Sequence, residues 1–520
     1  MRTLAIGLDG VSWNVLEPLL ETGDLPHLAA LRENGARAVL ESTVPFYTGP
    51  AWASYATACS PAKHGVYDFM MLRPGGELSV ADESDLRRTT YYEQLAQEGR
   101  RSVVVNLPID QSGCEGAVVV NSWLTVDGER RILPLDRRER YAEQLRAYRN
   151  YPTTFRASLD THLDDLCALE SSRFALARAL FVGEQWDHFF ILFSSTDWLG
   201  HKATGSFLAG EEPARQAFLR LYRQLDEYVG WLVERAPDAV VLVLSDHGQC
   251  AETHVVHVNT LLRELGLVRV LRERPAQVRR LLPGEPGRRQ LEVPQALSTL
   301  REVRALRAGA RAIKAGLRRL NVDVLTPRQA LEVDRILSRA FSPTIASYAV
   351  YTHGDDVDLE HIRAALLELT RDDGSPVLDG IWTFEELYGQ ASTSEAPALV
   401  YAPAVGVRPA VALGFPIVAQ APEVGRGAHQ RDGVLLMAGP NVAPSDLGRV
   451  RIYDLAPTLL ASMGASVPAE SDGRVLFEAF DPAFTAGLDV QEVEAAATHR
   501  NGARPSSAAV EARLMALGYL

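Results

Sequence analysis

The sequence predicts an α/β protein: a central, mostly parallel sheet sandwiched by helices. Two observations predict that class. Short runs rich in Val, Ile, Leu and Phe recur along the chain, separated by longer stretches whose apolar residues have helical spacing. Runs that are apolar at every position suit strands buried on both faces, as in a parallel sheet covered by helices. Several of these runs also end in a polar residue at a turn, and open α/β sheets bind ligands beyond the carboxyl ends of their strands. With 520 residues, 47% hydrophobic and 23% charged, the chain has ordinary globular composition and room for one large core or two to three domains.

Taken in order, the first strand is "TLAIGLD", ending at Asp9, and "HLAALRENG" from His27 reads as helix. "RSVVVN" is a strand ending at Asn106. A helix, "RFALARALFVGEQW" from Arg173, leads to the strand "FFILFSSTD", ending at Asp197, and "AVVLVLSDHG" brings in Asp246. The region 268–335 breaks this rhythm. Between Arg269 and Leu320 there are 14 basic residues against four acidic ones, and "LSTLREVRALRAGARAIKAGLRRL" repeats apolar residues at helical spacing. We read it as an inserted basic helical cap that divides the core into 1–267 and 336–520. Its charges are either solvated or form a lid that meets an anionic substrate, a partner or a membrane. Beyond it, "APALVYAP", "VLLMAGP" and "RIYDLAPTLLASMG" restore α/β character.

The formal charge of −13 argues against nucleic-acid duplex binding, which needs a basic surface. Only three of the 53 basic residues are lysines, a coding bias without functional weight. No run reaches the roughly 18 apolar residues of a membrane span, and "MRTLAIGLDG" lacks a signal pattern. The expectation is a soluble, cytoplasmic protein. Cys59, Cys114, Cys167 and Cys250 are too few and too scattered for a disulfide framework, so reduced thiols are expected.

Chemistry gathers at the strand ends. Asp9, Asp197 with His201 four residues on, Asp246 followed by His247, and His429 on an expected loop in "GRGAHQRDG" are each weak signals. Together they supply three carboxylates and three imidazoles, a donor set for divalent metal ions, with Zn2+ favoured over Mn2+ or Fe. Two metals about 4 Å apart can clamp both oxygens of an in-line displacement at phosphorus and lower the pKa of a coordinated hydroxyl. The segment Ser42 to Gly65, "STVPFYTGPAWASYATACSPAKHG", with six Ser/Thr hydroxyls, is the expected source of a nucleophile.

The ordered set Asp9, "TGPAWASYATACSPAKHGVYDF", "TDWLGH", "SDHG" and "GAHQRDG" resembles the alkaline phosphatase superfamily, in its type I phosphodiesterase/nucleotide pyrophosphatase branch. "HVNTLLRELGLV", "APALVYAP", "DLAPTLLASMG" and "DGRVLFEAF" also follow the family order, while 268–335 matches none of its motifs. The resemblance implies an alkaline-phosphatase-like fold with two zinc ions at the edge of its sheet. One ion would be held by Asp197, His201 and His429, the other by Asp9, Asp246 and His247. Thr48 would coordinate the second ion and act as nucleophile. It would form a phospho-threonyl intermediate that activated water then hydrolyses, cleaving phosphodiester or pyrophosphate bonds in a small phosphorylated substrate. The same site could serve phosphomonoester or phosphonate hydrolysis, or phosphoryl transfer. A non-catalytic metal-binding descendant would have lost a ligand or the threonine, and all seven positions are filled.

"CSPAK" at Cys59 to Lys63 resembles a degraded sulfatase nucleophile motif, but Thr48-Gly-Pro-Ala-Trp52 followed by Thr57-Ala58 has the right spacing. Where nucleotide pyrophosphatases carry asparagine, three residues after the threonine, this chain has Ala51, followed by Trp52. Both positions are candidate substrate contacts, and Asn106 is either a substitute donor or a turn residue. His64 could support the site or sit structurally in its turn. His254 and His257 could tune the metals or substrate, or simply pack.

Overall fold

A computed structural model of the chain describes residues 1–73, 75–109, 113–124, 131–155, 157–271, 289–292, 322–325, 332–354, 356–390 and 396–494. A nine-stranded sheet runs through it. Its strands in chain order are β1 (Arg2–Leu8), β2 (Ala36–Glu41), β3 (Ser102–Val105), β4 (Ala117–Val120), β5 (Ile132–Leu133), β6 (His188–Phe193), β7 (Ala239–Leu244), β8 (Asp432–Ala438) and β9 (Ser445–Arg451). Their order across the sheet is β9-β2-β8-β7-β1-β6-β3-β4-β5. Strands β8 and β5 run against the other seven. The α/β class and the mostly parallel sheet are therefore as the sequence predicts.

The apolar runs form central strands because both of their faces are covered. Leu4, Ile6 and Leu8 of β1 point to one side, with Val241, Val243, Phe189 and Ile191. Helices α1 (Trp13–Leu20), α2 (Pro26–Asn34), α5 (Leu159–Gly183), α6 (Ser195–Leu208) and α7 (Glu212–Glu234) contribute to that core. Ala5, Leu242, Phe190 and Leu192 point to the other side, where α3 (Thr48–Thr57), α4 (Tyr91–Gln97) and α8 (Leu455–Ser462) pack. Trp52 of α3 lies so close to the sheet that a Cβ on Gly7 would stand 2.7 Å from its ring and 2.7 Å from Leu192 Cδ1. Only glycine at position 7 admits the indole.

Smaller sheets stand beyond the main one. Gly248–Ala251 pairs antiparallel with Gly427–Gln430, and His254–His257 lies between Val407–Ala410 and Val418–Gln420. A four-stranded antiparallel sheet contains Ala340–Phe341, Ala349–Thr352, Leu378–Thr383 and Leu399–Pro403. Most of the expected cap at 268–335 lies outside the described residues. Its described parts include four short strands, Arg289–Glu292 parallel to Val322–Leu325 and Val270–Leu271 antiparallel to Glu332–Val333. Among the described residues no helix is long and apolar enough to cross a membrane.

Candidate metal centre

Three neighbouring parallel strands, β7, β1 and β6, end side by side, and each delivers an acid just past its carboxyl end. Asp9 follows β1 directly, and its N–H donates to Phe193 O, the last carbonyl of β6 (3.1 Å). Asp246 and His247 follow β7, and the Gly10 N–H donates to Asp246 Oδ1 (3.1 Å). Asp197 lies beyond the strand on which the sequence placed it, in the first turn of α6, with His201 one turn later. Residues four apart on a helix share a face, so both side chains reach the same point. His429, expected on a loop, lies in the strand Gly427–Gln430, opposite Gln249. Backbone pairing with Gly248–Ala251 sets it beside His247, their rings stacked with centroids 3.8 Å apart.

These side chains converge on two buried groups. Donor atoms of Asp197, His201 and His429 lie within 4.8 Å of one another, and so do those of Asp9, Asp197 and His247. His429 Nε2 is 3.0 Å from His201 Nε2 and 3.3 Å from Asp197 Oδ1, and His201 Nε2 is 3.4 Å from Asp197 Oδ2. Asp197 belongs to both groups. Asp246 joins through His247, whose Nε2 is 3.3 Å from Asp246 Oδ2 and 3.8 Å from Asp9 Oδ1. The grouping thus differs from the ligand sets implied by the resemblance, in that Asp197 lies between the two sites.

The donor set fits two divalent cations. Asp9 Oδ1 and Asp246 Oδ2 are buried and accept no hydrogen bond among the described residues, which is costly for a carboxylate unless a cation stands there. Burial, and then the charges of Asp246 and Asp197, push the Asp9 carboxyl well above its usual range. Burial also raises Asp246. Burial opposes ionisation of Asp197 as well, yet the charge of His201 and hydrogen bonds from His201 and His429 hold it well below its usual range. Burial, then His247, lowers His429 to about 3, so its ring is neutral and can offer a lone pair. Three buried carboxylates so close together repel one another, and a metal pair would relieve that repulsion.

Thr48 is the first residue of α3 and is buried, its Oγ1 3.2 Å from His247 Nε2. Ala51 and Trp52 lie deeper in the same helix and have no exposed surface. The indole packs edge-on against Tyr55 and Phe190. Asn106 is also buried, in the left-handed region with φ 66°, which asparagine tolerates. Its Nδ2 donates to Leu192 O (2.9 Å) and Ser194 Oγ (3.1 Å), so its amide ties the ends of β3 and β6 together. His64 sits beneath α3: its Nδ1 accepts from Val66 N–H (3.1 Å), leaving Nε2–H to donate to Ser54 Oγ (3.0 Å). His257 stacks on Phe415 and donates from Nδ1 to Pro416 O (2.8 Å), while His254 Nδ1 contacts Thr253 Oγ1 (3.0 Å). Burial pushes the thiols of Cys59 and Cys250 up to about 12 and about 11, so neither is a thiolate near neutrality.

Two supports of the site escaped the sequence reading. Gln249 Nε2 donates to Asp197 Oδ1 (2.6 Å) and to Asp197 O (3.0 Å), while its Oε1 accepts from Thr204 Oγ1 (2.8 Å). Glu170 Oε1 accepts from Ser195 N–H (2.9 Å) at the start of α6 and pairs with buried Arg173 (2.6 Å).

Solved structures share this fold. Phosphonoacetate hydrolase from Sinorhizobium meliloti, in complex with phosphonoformate, aligns over 89% of this chain and 96% of its own, with TM-score 0.56 and 17% identity. Murine ectonucleotide pyrophosphatase/phosphodiesterase 5 aligns over 92% and 100%, with TM-score 0.51 and 11% identity. An inactive threonine-to-alanine variant of the murine protein, in complex with AMP, aligns with TM-score 0.51. A sequence model described as "Type I phosphodiesterase / nucleotide pyrophosphatase" matches residues 3–328. That match runs into the 268–335 segment, which the quoted motifs leave outside the resemblance, and it stops before His429. With five of the six clustered acids and histidines inside the matched range, the chain belongs to the type I phosphodiesterase/nucleotide pyrophosphatase family, within the alkaline phosphatase superfamily.

Proposed function

We propose that the protein hydrolyses phosphodiester or pyrophosphate bonds in small phosphorylated molecules through a phospho-threonyl intermediate on Thr48. The observation that carries this reading is the Thr48 hydroxyl, 3.2 Å from His247 and adjoining two buried Asp/His groups. Asp197, His201 and His429 would hold one divalent ion, and Asp9, Asp246 and His247 the other, with Zn2+ the favoured metal. Such ions, when bound, polarise the phosphoryl group and favour the ionised hydroxyl. Thr48 sits at the positive end of the α3 dipole, so developing negative charge at its oxygen is stabilised by the first turn. Attack forms the Oγ1–phosphorus bond and breaks the bond to the leaving oxygen. Water then cleaves the new ester, releasing phosphate or its monoester and restoring the hydroxyl. Burial of Thr48 and the acids limits bulk water, and this strengthens each electrostatic contact. The inactive threonine-to-alanine variant of the murine relative is in keeping with a nucleophilic threonine.

Thr48→Ala tests the mechanism: turnover of bis-p-nitrophenyl phosphate should vanish while metal content stays near that of the parent. Full activity in the variant would overturn it. A second reading keeps the site and changes the bond to a phosphonate or phosphomonoester, favoured by similarity to a phosphonoacetate hydrolase. Comparing bis-p-nitrophenyl phosphate with p-nitrophenyl phosphate and a phosphonate separates the two.

A further inference from the structure

A cavity of about 150 Å3 opens on the imidazole side of the metal centre, lined by His201, His429, Tyr47, Tyr348, Arg408 and Arg426 among others. It is smaller than the roughly 300–1,000 Å3 of drug-sized pockets, so it suits a compact group. Two tyrosines form one wall: the Tyr47 ring is 4.5 Å from the His429 ring and 5.7 Å from Tyr348, edge-on. Tyr348 holds a left-handed backbone at φ 44°, a strain that bulky residues adopt only where the surroundings enforce it.

The other wall is cationic. Arg408 lies on Val407–Ala410, and its Nε is 3.1 Å from Glu252 Oε2, while Nη1 makes a long bond to Pro409 O (3.4 Å). Glu252 thus stands at ion-pair distance from the inner nitrogen and Pro409 O takes one outer nitrogen, so among the described residues Nη2 is the donor left for a ligand. Arg426 precedes the strand that carries His429, and its Nη1 is 3.5 Å from the exposed Glu423. Planar guanidinium forks match carboxylate and phosphate oxygens.

We propose that Arg408 and Arg426 form an anion subsite that takes a second oxyanion of the substrate, a carboxylate or a phosphate, carried a short spacer away from the reacting phosphoryl group. This rests on the phosphoryl-transfer reading above and narrows its substrate to compact molecules with two anionic ends.

Calorimetry on the metal-loaded full chain tests it, with three non-hydrolysable probes: propylphosphonate, 3-phosphonopropionate and ethane-1,2-bisphosphonate. At least one doubly anionic probe should bind about tenfold tighter than propylphosphonate, and whichever gains more identifies carboxylate or phosphate as the preferred end. That affinity ratio should fall below about threefold in Arg426→Gln. Arg408→Lys, which keeps a cation beside buried Glu252 and so guards against misfolding, should reduce it as well. Equal affinities for all three probes in the parent, or a ratio that survives both substitutions, would overturn the subsite and leave the phosphoryl-transfer reading standing. Failure of all three probes to bind would overturn both.

Discussion

Gln249 illustrates what a single residue does for the site. Its amide holds Asp197 at the carboxylate and at the backbone, and it is itself held by Thr204. A carboxylate that belongs to both donor groups must be aimed correctly, and an amide N–H on Oδ1 does the aiming. Replacing Gln249 by Leu should weaken metal binding by roughly 10–100-fold, measured by chelator competition on a variant whose circular dichroism matches the parent. Unchanged affinity would remove this role. A glutamine after "SDHG" carries no periodic or motif signal, because its partner is 52 positions away. One clue did exist. Gly200 interrupts a helix at a cost of ~1 kcal/mol relative to alanine, and a Cβ there would stand 1.5 Å from Gln249 Oε1. A mid-helix glycine beside a candidate ligand marks a close approach by something, although the sequence does not say by what. Thr48, in contrast, is singled out among the six hydroxyls of its segment by the family resemblance, through the x-Pro that follows it.

Among the elements, α5 and α6 work as a pair. The sequence reading began the first of these helices at Arg173, whereas α5 starts at Leu159, with the Ser158 hydroxyl accepting from Thr161 N–H (3.3 Å). The acids and serines of "LDTHLDDLCALESS" masked its apolar face. Inside that masked stretch is Glu170, which anchors the first turn of α6 through Ser195 and neutralises Arg173, both side chains fully buried. Glu170→Gln keeps an acceptor for Ser195 but leaves the Arg173 charge uncompensated. The expected loss is about 3–5 kcal/mol, read from urea unfolding at neutral pH. A loss below about 1 kcal/mol would mean that the pair contributes little to holding the helix that carries Asp197 and His201.

For the molecule as a whole, acid stability follows from buried neutral histidines. Burial lowers His188 to about 3, where its Nδ1 contacts Thr3 Oγ1 (2.8 Å) and its Nε2 the Tyr91 hydroxyl (3.2 Å). Burial, then the charges of Arg87 and Arg88, lowers His64 to about 3 as well. Between the unfolded value near 6.5 and the folded value, the unfolded chain binds a proton at each ring that the folded chain does not. Stability therefore rises with pH across that window and falls on acidification, by roughly 2 kcal/mol per ring between pH 7 and pH 5. In His188→Asn the difference in unfolding free energy between pH 7 and pH 5 should shrink by about that amount, and an unchanged difference would reject the assignment. At this scale the sequence by itself determined the α/β class, the buried strands, the family and the residue types of the site, because apolar periodicity and motif order are properties of the chain read in one dimension. Only the tertiary structure decided that β7, β1 and β6 are neighbours, that Asp197 stands between both donor groups, and that Arg408 and Arg426 face one cavity. Sheet order and the packing of distant strands set those proximities, and they join residues up to hundreds of positions apart that carry no mark of one another.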